Sequence, residues 1–129
     1  MERVPELAQA AFYGDLQRVI ALIKSSPGDV NRPGPAGLTP LMHAIMGGRL
    51  ETVLVLIEAG ADINKAADDG STPLLKACLW SFHDVVELLI AYGANVNARD
   101  NDGWTALKIA IQRGDKYIVS MLDRTGACE

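Results

Sequence analysis

Cysteine and histidine, the commonest transition-metal ligands in proteins, are scarce in this sequence, and so are aromatic residues. The 129 residues include 2 cysteines and 2 histidines, and aromatic residues make up 5%. Cys78 and Cys128 form neither a disulfide framework nor a zinc-site spacing, so we expect reduced thiols in an intracellular, cytoplasmic protein, with the nucleus as the alternative compartment. His43 and His83 lack a second ligand at metal-binding spacing, so we expect both to be capped or surface histidines. No metal and no cofactor are predicted.

Sequence motifs of catalysis are missing as well. No serine lies in the pattern Gly-x-Ser-x-Gly, the turn that presents a hydrolase nucleophile. The glycine-containing segments at 34–37 and 47–48 lack the strand and helix that flank a phosphate-binding loop, so we interpret both as turns. These absences predict that the chain is not an enzyme.

The chain also lacks a basic stripe and a long apolar run. Lys and Arg number 12 against 16 Asp and Glu, a formal net charge of −4, which argues against nucleic-acid binding. The longest aliphatic stretches, such as residues 53–57, are far shorter than the ~20 residues of a membrane-spanning helix. Residues 1–6 show no basic segment followed by an apolar one, so no secretory signal is predicted. With 49% apolar residues available for a core, we expect a soluble, folded protein.

What the sequence does contain is an internal repeat of 33 residues. The tripeptide Thr-Pro-Leu at 39–41 recurs at 72–74, and again as Thr-Ala-Leu at 105–107. The pentapeptide Gly-Ala-Asp-Ile-Asn at 60–64 recurs as Gly-Ala-Asn-Val-Asn at 93–97. Two markers in one phase predict a repeat architecture rather than a single compact fold.

Each repeat has the pattern of two short helices joined by a turn. Thr39 can cap the first helix with its hydroxyl, and Pro40 at the first helical position gives up only an amide that has no intrahelical partner. The glycines at 47–48 end this helix, and a second helix runs from about 50–58 and ends at Gly60. Helices this short are not stable alone, so each repeat needs its neighbours and the sequence predicts an all-α repeat solenoid.

The motifs Gly-x-Thr-Pro-Leu and Gly-Ala-Asp-Ile-Asn at this period resemble ankyrin repeats over nearly the entire chain. We predict a single domain at 1–129, with a degenerate N-terminal cap at 2–31, repeats at 32–64 and 65–97, and a C-terminal cap at 98–129. The resemblance implies helix-turn-helix units, with β-turn or hairpin fingers projecting beside a concave face that the first helices line.

Several positions depart from the pattern of the family. The histidine that often follows Thr-Pro-Leu is replaced by Met42, Leu75 and Lys108, so the bonding network through that histidine is absent. Ser81 replaces the glycine between the helices of the third repeat, which leaves open whether that turn keeps its form. Cys78 occupies a position where the family packs a small residue, so we predict a buried and unreactive thiol.

The resemblance implies that partner contacts come from the finger tips and from the exposed end of the first helix. Both tryptophans fall at such positions, which the repeat does not need for its own packing, and an exposed apolar patch marks an interaction site. The predicted partner-binding residues are Tyr13, Leu38, Met46, Asp69, Ser71, Leu79, Trp80, Asp102, Trp104 and Arg113, with Gln9, His43, Lys76 and Ile109 at the margin. Trp80 and Trp104 are the predicted anchors. The alternative is that these side chains fill local gaps.

Acidic residues concentrate near the fingers of the middle and last repeats. The cluster consists of Asp62, Asp68, Asp69, Asp100 and Asp102. If it contacts a partner, it favours Lys or Arg flanking the apolar anchors of that partner. Solvation of the turn tips is the competing explanation.

Asn64 lies in the spacing that, by resemblance to the family, an asparagine hydroxylase can recognise, after Leu56 and Asp62. A simpler explanation is that Asn64 and Asn97 bond the backbone of the fingers, as Asn side chains do in turns.

The resemblance to ankyrin repeats implies that the chain is a monomeric scaffold or adaptor. It would capture a partner protein or an extended peptide on the surface formed by fingers and first helices, and no nucleic acid, membrane or small-molecule substrate is expected. One alternative is an accessory targeting or regulatory domain of a longer enzyme or effector, which the ending at 126–129, within a loop marker, permits. Another is a purely structural spacer.

Overall fold

Short α-helices form the fold in the computed structural model, which describes residues 3–129. Within that range there are eight α-helices and no β-strand. The helices are α1 (Glu6–Tyr13), α2 (Leu16–Ser25), α3 (Pro40–Met46), α4 (Leu50–Glu58), α5 (Pro73–Leu79), α6 (His83–Ala91), α7 (Ala106–Arg113) and α8 (Lys116–Asp123). Two 3₁₀ segments, Pro27–Asp29 and Pro35–Gly37, lie between α2 and α3. The predicted all-α repeat fold is confirmed, and α4 has the bounds expected from the sequence.

The chain divides into two compact units, Met1–Asp62 and Ile63–Glu129. In the first unit, α1 packs against α2 and α3, and α4 packs against α2 and α3. In the second unit, α5 packs against α6 and α7, while α8 packs against α6 and α7. None of the helices within residues 3–129 has the length and hydropathy that crossing a membrane requires.

Three of the first helices begin at a threonine, as predicted. The side-chain oxygen of each threonine accepts a hydrogen bond from the backbone amide three residues later, an amide that the helix itself leaves without a partner. The pairs are Met42 N to Thr39 Oγ1 (3.3 Å), Leu75 N to Thr72 Oγ1 (3.3 Å) and Lys108 N to Thr105 Oγ1 (3.2 Å). Each cap is worth about 1 kcal/mol of helix stability.

Apolar residues at equivalent repeat positions form the core. The leucines of the Thr-x-Leu tripeptides, the alanines that follow on the first helix and a leucine on each second helix are all buried. They are Leu41, Leu74 and Leu107, then Ala44, Ala77 and Ala110, and then Leu56, Leu89 and Leu122. Burial of each leucine contributes about 1.5–3 kcal/mol, and the small alanines let the paired helices approach closely.

The turn between paired helices keeps one form in all four helix pairs. Gly14, Gly48 and Gly114 have φ of 67°, 69° and 70°, in the left-handed region that glycine adopts without steric penalty. Ser81 has φ of 55° at the equivalent position. For a residue with a Cβ, this conformation is about 1–2 kcal/mol higher in free energy than the right-handed one. The replacement of glycine by serine therefore strains the third turn without changing its course.

Tight turns form the fingers between repeats. The bonds Gly34 N to Leu38 O (3.0 Å), Ala67 N to Ser71 O (2.9 Å) and Asp100 N to Trp104 O (3.0 Å) close them at equivalent positions. Asparagine side chains then join the loop of one repeat to the loop of the next. Asn64 Nδ2 donates to Gly93 O over 3.3 Å, and Asn95 N donates to Asn64 Oδ1 over 2.7 Å. Asn64 bonds backbone groups, as predicted, but they belong to the loop after α6 rather than to a finger, and its hydroxylation stays a prediction.

Candidate partner-binding groove

The Ile63–Glu129 unit has a surface groove of about 350 Å³ between its two finger turns and the helices α5 and α7. Six of the ten predicted partner-binding residues line it, namely Asp69, Ser71, Leu79, Asp102, Trp104 and Arg113. The other lining residues are Leu75, Lys76, Asp100, Ile109 and Gln112. The repeat period therefore brings residues more than thirty positions apart to one surface.

Apolar side chains supply the contact area of the groove. Leu75 and Ile109 are buried and lie in adjacent repeats, near the middle of α5 and α7. Leu79 at the end of α5 exposes 44% of its surface, and Trp104 is half-buried. Exposed apolar surface beside buried apolar residues is what an incoming apolar side chain can cover.

Charges of opposite sign occupy the two sides of the groove. Asp69, Asp100 and Asp102 lie on the turns, whereas Lys76 lies on α5 and Arg113 ends α7. No ion pair within residues 3–129 joins these acids to these bases. Lys76 acts on Asp69 only at longer range, where its charge helps to lower the pKa of that carboxyl, so these charged groups have no ion-pair contact that a partner would need to break.

The two turns of this unit are fixed to each other. Asn101 N donates to Asp69 O over 3.0 Å, and Asn101 Nδ2 donates to Asp68 O over 3.0 Å. Gly70 permits this approach, because a Cβ there would lie 2.4 Å from Asn101 Oδ1 and 2.6 Å from Asn101 N. A surface that is already ordered loses less conformational entropy when it binds.

Asp69 is held ionised by its neighbour Ser71. The Ser71 hydroxyl and backbone amide donate to Asp69 Oδ1 over 2.6 and 2.9 Å. These bonds favour the charged form, and they lower the pKa of Asp69 below its ordinary value. Ser71 itself is buried, so its contribution to the groove is to orient Asp69.

Asp100 and Lys108 hold Trp104 in place. Asp100 Oδ1 accepts hydrogen bonds of 2.9 Å from both Asp102 N and Trp104 N, which fixes the backbone of the turn. The Lys108 ammonium lies 4.6 Å from the centroid of the Trp104 ring, a cation–π contact worth about 0.5–1 kcal/mol at an exposed site. Trp104 is thus presented to the groove by contacts on its own repeat.

Trp80, the second predicted anchor, does not line this groove. It follows the last residue of α5, exposes 41% of its surface and lies 6.4 Å from Phe82 between ring centroids. The structure therefore does not bring the two tryptophans together in the groove. Neither ring is buried, and a partner contact at Trp80 stays a prediction.

The remaining three predicted residues belong to the Met1–Asp62 unit. Tyr13 is 70% exposed and meets Phe12 edge to face, with the ring centroids 5.1 Å apart. Leu38 and Met46 are half-buried. Their roles as partner contacts stay predictions.

Leu75 is the groove residue that the sequence reasoning missed. It stands where the family often has histidine, and the same position carries Met42 and Lys108 in the neighbouring repeats. An apolar residue in place of a polar one was the available signal. Lys76 and Ile109, which were predicted only at the margin, also line the groove.

A second polar cluster joins α6 to α8. His83 Nε2 lies 2.7 Å from Asp115 Oδ2, and the His83 ring stacks on Tyr117 with centroids 4.8 Å apart. Burial alone would raise the pKa of Asp115, but bonds from Ile118 N, His83 and Ser81 outweigh it and lower the pKa. These contacts tie two helices together, and His83 is an exposed histidine as predicted.

The cysteines have the predicted environments. Cys78 is fully buried, and burial raises its pKa to about 12, so its thiol is not nucleophilic at neutral pH. Cys128 is exposed. Within residues 3–129, no group of three or more His, Cys, Asp or Glu side chains is arranged to hold a metal ion.

Comparison with known protein families identifies a match. The family model described as ankyrin repeats, in 3 copies, matches residues 7–100 and 60–127. The matched ranges overlap and together extend over nearly the whole chain, including both finger turns that border the groove.

Proposed function

Because this chain belongs to the ankyrin-repeat family, we propose that it is a non-catalytic adaptor that captures a partner protein, through an extended segment, in the groove of the Ile63–Glu129 unit. Ankyrin repeats are generally protein-interaction modules and are typically non-catalytic. The family therefore supports binding in general, and the groove supports this particular surface.

The observation that carries the proposal is the composition of the groove. Its apolar lining consists of Leu75, Leu79, Ile109 and Trp104, of which the buried Leu75 and Ile109 form the floor, and its turns and helices carry charges without ion-pair partners. Protein interfaces combine an apolar centre with a polar rim, and tryptophan and arginine are enriched among the residues that dominate their affinity. Trp104 and Arg113 are residues of that kind.

Binding would be non-covalent and would need little rearrangement. Covering Leu79 and Trp104 removes apolar surface from water, which provides about 25 cal/mol for each Å². The bonds that Asn101 makes to the neighbouring turn and that Asp100 makes to Trp104 order the groove beforehand. A smaller part of the apolar contribution is then offset by the cost of ordering the groove.

We propose further that the protein acts as a monomer in a reducing, intracellular compartment. A buried thiol at Cys78 and an exposed thiol at Cys128 are compatible with such a compartment. Three aspartates on one side of the groove would repel the phosphates of a nucleic acid, which favours a protein partner. The groove is open to solvent rather than enclosed, which suits a chain segment better than a small-molecule substrate.

The test is a selection of random dodecapeptides, displayed on phage, against the immobilised full chain. We expect enriched clones whose synthetic peptides bind Trp104→Ala at least roughly tenfold more weakly than the unmodified chain, as is usual for an aromatic anchor. Tyr92→Ala is the matched control, because Tyr92 is an exposed aromatic residue outside the groove. Helical circular dichroism of both variants verifies that they fold. Enriched peptides that bind all three proteins equally would contradict the groove assignment.

A further inference from the structure

The distribution of charge in the groove defines the chemistry of its occupant. We propose that the bound segment carries a lysine or arginine beside an apolar side chain, with the basic group at the turns and the apolar group on the floor. This inference rests on the proposed function of the groove and specifies the partner class.

The turn side of the groove presents carboxylates that the protein itself leaves unpaired. Asp102 is exposed, and its carboxylate has no hydrogen-bond or ion-pair partner among residues 3–129. Both bonds from Ser71 go to Asp69 Oδ1, which leaves Asp69 Oδ2 available. Asn101 fixes the two turns to each other, so both turns present their carboxylates to the same groove. A basic side chain of a partner placed at the turns would gain Coulomb energy from these carboxylates.

Trp104 places aromatic surface next to the carboxylates of the turns. One face of its ring is already covered by the Lys108 ammonium, 4.6 Å from the ring centroid, so the ring serves the groove as apolar surface rather than as a cation site. Trp104 lines the groove together with Asp100 and Asp102 of the same turn, so a segment with a basic side chain near an apolar one meets carboxylates and an aromatic ring together.

The helix side of the groove limits how basic the segment can be. Lys76 and Arg113 line that side, and they would repel a uniformly basic chain. Buried Leu75 and Ile109 lie between the two charged sides and require an apolar contact. In an extended chain, successive side chains point to opposite sides. A single basic residue one or two positions from the apolar residue can therefore reach the aspartates of the turns while the apolar side chain contacts Leu75 and Ile109.

The test uses the peptides selected on the full chain. Each peptide is sequenced, and those that bind Trp104→Ala more weakly than the unmodified chain are retained. We expect these peptides to contain Lys or Arg within about three residues of a large apolar residue more often than the unselected library does. For one such peptide, we expect Asp69→Asn combined with Asp102→Asn to weaken binding roughly fivefold and to reduce its salt dependence.

A second double variant controls for net charge. Asp68→Asn combined with Asp123→Asn removes the same charge at exposed aspartates of the same unit that do not line the groove. We expect its affinity to stay within about twofold of the unmodified chain. Equal weakening by both double variants would overturn the inference, because only overall charge would then matter.

The outcomes separate this inference from the function on which it rests. Two results would refute the basic partner without refuting the groove. One is that the peptides dependent on Trp104 contain no excess of basic residues, and the other is that their affinity is unchanged by the Asp69 and Asp102 substitutions. A selection that yields no peptide dependent on Trp104 would refute both. Circular dichroism of each variant establishes that it is folded.

Discussion

Each of the two compact units has a surface cavity, and the two cavities use their charged side chains differently. In the Met1–Asp62 unit, a cavity of about 590 Å³ is bordered by Arg3, Arg18 and Arg32, and the last two form ion pairs within the unit. Arg18 lies 3.7 Å from Glu6, and Arg32 lies 3.8 Å from Asp29. In the Ile63–Glu129 unit, the smaller groove has acids and bases that form no ion pair.

The volume of a cavity therefore does not by itself identify a binding surface. A charge that already has an ion-pair partner gains less from a second one, because part of its Coulomb energy is already realised and the existing contact competes with the new one. Unpaired charges around an apolar floor can be complemented without breaking existing contacts. We therefore expect a partner segment to bind in the smaller groove. The following substitutions test this difference between the two cavities, beginning with the largest expected effect.

The largest effect is expected from Gly70→Ala. Gly70 has φ of 82°, and a Cβ there would lie 2.6 Å from the backbone nitrogen of Asn101. We expect a loss of about 2–4 kcal/mol in the free energy of unfolding, from backbone strain and steric overlap together. Gly103→Ala is the control, because Gly103 has φ of 84° with nothing within 4 Å of the added Cβ. Urea denaturation should show a loss of only about 1 kcal/mol there, and equal losses would contradict the clash.

The next effect is the loss of peptide affinity in Trp104→Ala. We expect about 2 kcal/mol, or roughly thirtyfold, because an aromatic anchor and its contact with Lys108 are removed together. Arg18→Ala combined with Arg32→Ala changes the larger cavity instead, and we expect that variant to bind as the unmodified chain does. Calorimetric titration with one selected peptide measures both. A stronger effect of the arginine variant would reverse the comparison between the cavities.

A smaller effect is expected at the strained turn of the second unit. Ser81→Gly removes the penalty of a left-handed Cβ, and we expect a gain of about 1 kcal/mol or less, since the bond from Ser81 to Asp115 is lost as well. Gly114→Ser makes the reverse change where a Cβ meets nothing within 4 Å. It should lower stability by about 1 kcal/mol in thermal or urea unfolding. A loss of stability in Ser81→Gly would mean that the serine side chain outweighs the strain.

The smallest effect concerns the pH dependence of Ser71→Ala. The bonds from Ser71 lower the pKa of Asp69, so the stability they provide is present above the unfolded pKa of about 4 and is lost as the pH falls through the lower folded value. We expect Ser71→Ala to lower stability by about 0.5–1 kcal/mol at neutral pH, a modest figure because Asp69 is exposed. The difference from the unmodified chain should shrink on acidification below about pH 4. A difference that stays constant with pH would exclude this role for Asp69.

Periodic features of the fold were predictable from the sequence because each is set locally. The threonine caps, the α4 bounds Leu50–Glu58 and the burial of Cys78 all follow from a repeated pattern. Pairings between residues that do not repeat were not predictable. His83 and Asp115 are joined across α6 and α8 without any marker in the sequence.

The repeat pattern predicted that the finger turns and the first helices border the candidate site, but not which of their side chains line the groove. Leu79 lines the groove and Trp80, the next residue, does not, because α5 ends between them and successive residues on a helix face different directions. Ser71 was expected to contact a partner, yet its hydroxyl bonds Asp69. Such details depend on side-chain geometry, which a repeat pattern leaves undetermined.

Nuclear magnetic resonance mapping of a selected peptide onto the isotope-labelled full chain shows residue by residue which groove the peptide occupies. We expect the largest chemical-shift changes on the Trp104 indole and on the backbone around Leu75, Leu79 and Ile109, with small changes at Arg18 and Arg32. Changes concentrated at Arg18 and Arg32, with the Trp104 indole unmoved at saturation, would contradict this expectation.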